Sequence, residues 1–137
     1  MALYAPSLAD IEHLAEDAYA MIPVELRNHT ADVVIRVEDF PDEETEADME
    51  LESPFDLLGL YRGVALTRQS VSDPGGQPNM IFLYRRPILD YWCETGEDLT
   101  RLICHVLIHE FGHHFGFSDN DMEQLERDTA AAETEQA

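Results

Sequence analysis

Basic residues are scarce in this sequence. Eight lysines and arginines face 29 aspartates and glutamates, which gives a formal net charge of −21 at pH 7. A surface this acidic repels phosphate backbones and anionic lipids, so we expect no nucleic acid and no membrane among its partners. We interpret the excess of carboxylates as a solvating coat. A preference for basic substrates and adaptation to a salty cell interior are the alternatives.

Cysteines are few and long apolar runs are absent. Two cysteines, Cys93 and Cys104, are not enough for a disulfide framework. No apolar run reaches the length needed to cross a bilayer. Residues 1–20 carry acids rather than the basic segment that opens a secretory signal. Together these features predict a cytoplasmic protein, and nothing in the sequence requires more than a monomer.

The length of 137 residues fits one domain with a modest core. We predict that this domain covers residues 1–128 and that residues 129–137 form a disordered tail. Acids crowd residues 38–52, which also contain Pro41. We interpret this segment as an exposed acidic loop within the domain, because carboxylates without turn glycines make a poor cation cage.

Helical and strand patterns follow one another along the chain. Ser7 and Asp10 form a possible capping box, which predicts a first helix that ends near Pro23. Runs of β-branched or aromatic residues predict strands at residues 33–37 and 80–85. The apolar run at residues 57–64, with two glycines, predicts a strand with a bend or bulge. After Pro87, residues 88–93 predict a short helical turn, and the main helix should run from about residue 97 to residue 115. This order predicts an α+β fold.

The clearest chemical signal is the pattern His-Glu-x-x-His-x-x-Gly-x-x-Asp at the end of the main helix. Residues four apart share a helix face, so His109 and His113 direct two imidazoles at one point, as zinc capture requires. Glu110 lies one step round the helix, where a general base for a metal-activated water belongs. Gly116 should end the helix and let Asp119 return as a third ligand. Three protein ligands leave one tetrahedral position open, which is typical of a catalytic zinc site.

A buried helix with incidental histidines is the alternative explanation of this pattern. It would place two unpartnered imidazoles in the core beside Leu102 and Val106, which is costly. His-Glu-x-x-His also arises by chance in only roughly one chain in several hundred of this length. The sequence therefore favours a metal site.

Other side chains near the motif give weaker predictions. Tyr84 and Tyr61 are candidates for stabilising an oxyanion, and His114 is a candidate for contacting the substrate or a neighbouring carbonyl. His105 is expected in a supporting or surface role. Cys104 lies opposite the paired histidines on the helix, which predicts a thiol in the core.

The run from His109 to Asp119, residues 57–64 and the strand at residues 80–85 together resemble the small bacterial zincin-like metallopeptidases, also called minimal zincins. The resemblance covers most of the chain after the first helix. It implies an α+β zincin-like domain, with a short mixed β-sheet packed on an N-terminal helix and a C-terminal active-site helix. It also implies metal on the two motif histidines, with Glu110 as the catalytic acid–base residue.

The predicted function is zinc-dependent hydrolysis of a peptide or protein substrate. We predict that His109, His113 and Asp119 bind Zn²⁺ and that Glu110 is the general base. Tyr84 and His114 are the predicted substrate contacts. A peptide is expected to add as a further strand along residues 80–85, if that edge is exposed.

Two alternatives stay open. One is another metal hydrolase: an endoribonuclease family has a similar His-x-x-x-His-x-x-Gly helix, and deformylases pair His-Glu-x-x-His with an upstream cysteine that Cys93 could mimic. The retained Glu110 and the negative charge argue against RNA, and the surroundings of Cys93 do not match those of deformylases. The other alternative is a non-catalytic, metal-stabilised binding module.

Overall fold

The structure is a computed structural model that describes residues 5–30, 32–63 and 79–116, together with residues 118, 120, 121, 124 and 127. The predicted third metal ligand, Asp119, and the predicted tail at residues 129–137 lie outside the described residues. No helix in the described part of the chain has the length and apolar character needed to cross a membrane.

Helices and strands combine in an α+β fold, as predicted. The described elements are α1 (Leu8–Ala20), α2 (Val24–Arg27), β1 (Val33–Glu38), α3 (Glu43–Asp48), a 3₁₀ turn (Pro54–Asp56), β2 (Gly59–Arg62), β3 (Asn79–Tyr84), α4 (Arg85–Thr95) and α5 (Leu99–Phe115). The capping box predicted for α1 is confirmed, because the hydroxyl of Ser7 accepts from the Asp10 N–H and the Asp10 carboxylate accepts from the Ser7 N–H.

The three described strands form one mixed sheet in the order β1–β3–β2. Ile81, in the middle of β3, lies opposite Ile35 of parallel β1 and opposite Tyr61 of antiparallel β2. Because β3 is paired on both sides, the prediction that a peptide adds along residues 80–85 is wrong. Within the described sheet, β2 is the outer strand that packs against α5.

One face of the sheet is covered by α1 and α5, which pack against each other. Helix α1 buries Ile11, Ala15 and Ala18, which recur at the spacing of one helix face. Ile81 and Leu83 of β3 are fully buried in the same apolar cluster. Helix α5 is therefore held by contacts with both the sheet and α1.

The sequence predicts an exposed acidic loop at residues 38–52. This prediction is wrong in part, because the segment contains helix α3. Helix α3 forms within it because the Asp42 carboxylate accepts from the Thr45 N–H at 2.7 Å and glutamates occupy the first turn, where the helix dipole favours negative charge. Thr45 is buried and its hydroxyl accepts from Arg62. The segment is thus anchored to β2.

Helix α4 is longer than the predicted turn at residues 88–93. Pro87 occupies the third position of this helix, where the backbone N–H would have no partner within the helix. Proline in that position permits the helix, which is why β3 ends and α4 begins without a break.

Gly59 lies where β2 comes closest to α5. An ideal Cβ on Gly59 would lie 2.6 Å from Cγ1 of Val106 and 3.1 Å from the carbonyl oxygen of Phe82. We predict that Gly59→Ala forces the strand and the helix apart and lowers the free energy of unfolding by about 1–3 kcal/mol. Urea unfolding of the purified variant measures this loss.

A Val106→Ala background provides the control. It removes the atom nearest to the added methyl group, so Gly59→Ala should cost less free energy there than in the wild type. An equal cost in both backgrounds would contradict the contact between β2 and α5.

Candidate metal centre

The ends of α5 are fixed by two capping residues. The Asp98 carboxylate accepts from the Arg101 N–H at 3.0 Å at the start of the helix. Gly116 ends it in the left-handed conformation, with φ of 72°, as the sequence predicted. Between these caps the helix stays regular, so residues 109 and 113 are one turn apart.

His109 and His113 lie together on the solvent side of α5. Their ring centroids are 5.1 Å apart and the ring planes are nearly perpendicular, at 87°. Both side chains are exposed, in line with Arg101 and His105, which precede them at four-residue intervals. The prediction that this pair would be buried beside Leu102 and Val106 is therefore wrong, although those two apolar residues are themselves buried.

Glu110 differs from its two neighbours in the cluster because it is buried, with 8% of its surface exposed. Loss of hydration raises the pKa of its carboxyl group to about 7, and a hydrogen bond from the backbone N–H of Tyr61 opposes this rise. A carboxyl group with a pKa near neutrality can both accept and release a proton under ordinary conditions. Burial thus gives Glu110 the property expected of an acid–base residue.

The donor set fits a divalent metal ion. One ligand atom each from His109, Glu110 and His113 can be chosen so that all three lie within 4.8 Å of one another. Zinc–nitrogen bonds of about 2.0–2.1 Å place the donors of one ion closer together than this, so these side chains would draw together on binding. Asp119, the predicted third ligand, lies outside the described residues.

Neither cysteine belongs to this cluster. Cys104 is buried, as predicted for a core thiol, and Cys93 is exposed on α4. Cys93 therefore does not supply the cysteine that a deformylase-like site would require at this cluster.

Tyr84 and His114, the predicted substrate contacts, are both buried in this structure. Tyr84 is 2% exposed, and burial raises the pKa of its hydroxyl to about 12. His114 is fully buried, with Nδ1 2.9 Å from Oη of Tyr61 and Nε2 3.2 Å from the carbonyl oxygen of His29. Their contact with substrate stays a prediction, and the structure gives them internal partners.

The sequence did not reveal that Tyr61 holds Glu110 through its backbone. The residues are far apart in the chain, so no local periodicity relates them. Gly59 was the available signal, because a glycine inside a strand can mark a close approach of another segment. The prediction of a bend or bulge at the glycines of residues 57–64 did not include this close approach.

Comparison with known proteins gives one family. The sequence model of the zincin-like metallopeptidase family matches residues 30–129, which is most of the chain. The matched range contains the three described strands, α5 and the whole motif from His109 to Asp119. No curated protein matches the chain.

We predict that His109→Ala and His113→Ala each weaken zinc binding by roughly 100-fold or more, because each removes one of two paired imidazoles. His105→Ala is the matched control, since His105 is also exposed and lies one turn earlier on the same helix face but outside the cluster. Calorimetric titration of metal-free protein with zinc measures the affinities. Similar losses in all three variants would contradict the assignment of this pair.

We also predict that Glu110 makes the metal-free protein less stable as the pH rises. Between about pH 4.5, its ordinary pKa, and about pH 7, its folded pKa, the folded state retains a proton that the unfolded chain releases. The free energy of unfolding should fall across this window, by up to about 3 kcal/mol, and then level off.

Glu110→Gln isolates this effect, because the amide cannot titrate but can still accept from Tyr61. Urea unfolding of both metal-free proteins from about pH 4.5 to about pH 8 should show a difference in stability that grows with pH. A constant difference would show that the carboxyl group is not desolvated.

Proposed function

The chain belongs to the zincin-like metallopeptidase family, and on that basis we propose that it is a zinc-dependent hydrolase of peptide bonds. The observation that supports the proposal most directly is the different environment of three adjacent groups. Two imidazoles one turn apart are open to solvent, and the carboxyl group beside them is buried with a raised pKa. This combination provides accessible metal donors next to a proton acceptor.

In the proposed mechanism, His109 and His113 hold the metal, and Asp119 is the third ligand. When bound by these residues, zinc would supply Lewis-acid activation of the scissile carbonyl and of a water molecule. Glu110 takes the proton from that water and later delivers it to the leaving amine. The N–H of Tyr61 keeps the carboxylate of Glu110 oriented between these two steps.

Access for a peptide is proposed along the exposed face of α5. An open cleft of about 810 Å³ lies at the N-terminal end of this face. It is lined by Arg101 and His105 and by the apolar surfaces of Leu58 and Tyr91. His105 lies one helical turn from His109, so a chain lying in this cleft extends towards the paired imidazoles. Because β3 is paired on both sides, we propose this approach in place of one along β3.

We predict that Glu110→Gln keeps bound zinc and loses catalysis, with kcat lowered by roughly 100-fold or more, because the amide cannot take a proton from water. Hydrolysis of casein and of a peptide library measures activity, and elemental analysis measures zinc. Glu94→Gln, the same change at an exposed glutamate of α4, is the control. Hydrolysis by Glu110→Gln at the wild-type rate would overturn the proposed role.

The same assay distinguishes the other metal hydrolases. RNA and a formyl-peptide are tested beside casein, and cleavage of either one alone would assign the chain to a different reaction. Zinc binding that stabilises the fold, with no turnover of any of these substrates, would favour a metal-stabilised binding module.

A further inference from the structure

The motif on α5 contains two pairs of residues with a spacing of four, and one member of the second pair, His114, has no role in the mechanism above. His109 and His113 form the exposed pair, and Glu110 and His114 form a buried pair on the adjacent face. Both members of the buried pair contact the same residue of β2. The Tyr61 N–H donates to Glu110, and the Tyr61 hydroxyl meets Nδ1 of His114 at 2.9 Å.

We propose that His114 is a positioning residue that clamps the side chain of Tyr61, so that the backbone N–H of Tyr61 stays on the Glu110 carboxylate. The catalytic part of this inference rests on the proposed function. The clamp itself is a structural property that can be tested in the absence of any substrate.

The hydrogen bonds of His114 determine the orientation of its ring. The carbonyl of His29 can only accept, so Nε2, 3.2 Å from it, carries a proton. The other ring nitrogen, Nδ1, shares a hydrogen bond of 2.9 Å with the hydroxyl of Tyr61. With both nitrogens engaged and no exposed surface, the imidazole has little freedom to move.

The hydroxyl of Tyr61 is held from a second side. It lies 3.2 Å from Oδ1 of Asn79, whose amide nitrogen donates to Asp32 at 3.0 Å. A Cβ at Gly63 would collide with Asn79 and would come within 2.9 Å of the Tyr61 hydroxyl, so this network has no space to spread. Tyr61 is therefore fixed at both its side chain and its backbone, and the two points of attachment on α5 are one helical turn apart.

The test measures hydrogen exchange of the residue-61 amide in ¹⁵N-labelled, metal-free protein. Tyr61→Phe removes only the hydroxyl oxygen and leaves the backbone N–H in place. If the clamp fixes this N–H, its exchange should become about tenfold faster, while the Leu60 amide in the ladder with β3 stays unchanged. His114→Gln, which removes the ring, should have the same effect.

His29→Ala is the control, because it removes an exposed side chain and leaves the carbonyl that His114 contacts. Unchanged exchange at residue 61 in Tyr61→Phe would overturn the proposal. So would an equal acceleration at Leu60, because it would show a general loosening of the sheet rather than loss of a specific clamp.

Activity provides the second measurement. In Tyr61→Phe, kcat should fall about tenfold or more with KM and zinc affinity unchanged, because the metal donors and the substrate cleft are untouched. A fall in stability without a change in kcat would reduce His114 to a structural residue. The two proposals can fail separately. If Tyr61→Phe accelerates exchange at residue 61 but the wild-type protein cleaves no peptide, the clamp is supported and the proposed hydrolase is refuted.

Discussion

The close packing of β2 on α5 at Gly59 is the constraint on which the site depends. A side chain at this position would collide with Val106, and the strand would have to lie further from the helix. The Tyr61 N–H would then lie too far from Glu110, and its hydroxyl too far from His114. The absence of a side chain at Gly59 thus permits β2, which is distant in sequence, to contact Glu110 on α5.

The same helix provides two opposite environments within one turn. Its outer face exposes the imidazoles of His109 and His113, the proposed metal donors. Its inner face buries the carboxyl group of Glu110 under β2, where loss of hydration raises the pKa. Because adjacent residues on a helix point in directions about 100° apart, an exposed donor and a desolvated base can be neighbours in the chain.

Local features of this fold were predictable from the sequence. The capping box at Ser7, the end of α5 at Gly116 and the pairing of His109 with His113 all depend on residues within a few positions of one another. Helix α3 was missed because its stability comes from the Asp42 cap and from Thr45 packing under β2, whereas the composition of the segment indicated a loop.

Long-range features were not predictable in the same way. The central position of β3 depends on which strands become neighbours, and a strand pattern alone does not encode its neighbours. The contacts of Tyr61 with Glu110 and His114 join segments about 50 positions apart, which no helical or strand period connects. The sequence therefore predicted the pairing of His109 with His113 but not the strand that contacts Glu110.

The two interleaved pairs on α5 make the site sensitive to chain length rather than only to residue type. Inserting or deleting one residue between positions 110 and 113 would rotate the later member of each pair by about 100° relative to the earlier one. His113 would leave His109, and His114 would leave the face that carries Glu110. Both pairs would be lost in one event, so natural variation in this segment should consist of substitutions, with insertions and deletions confined to the chain outside the helix.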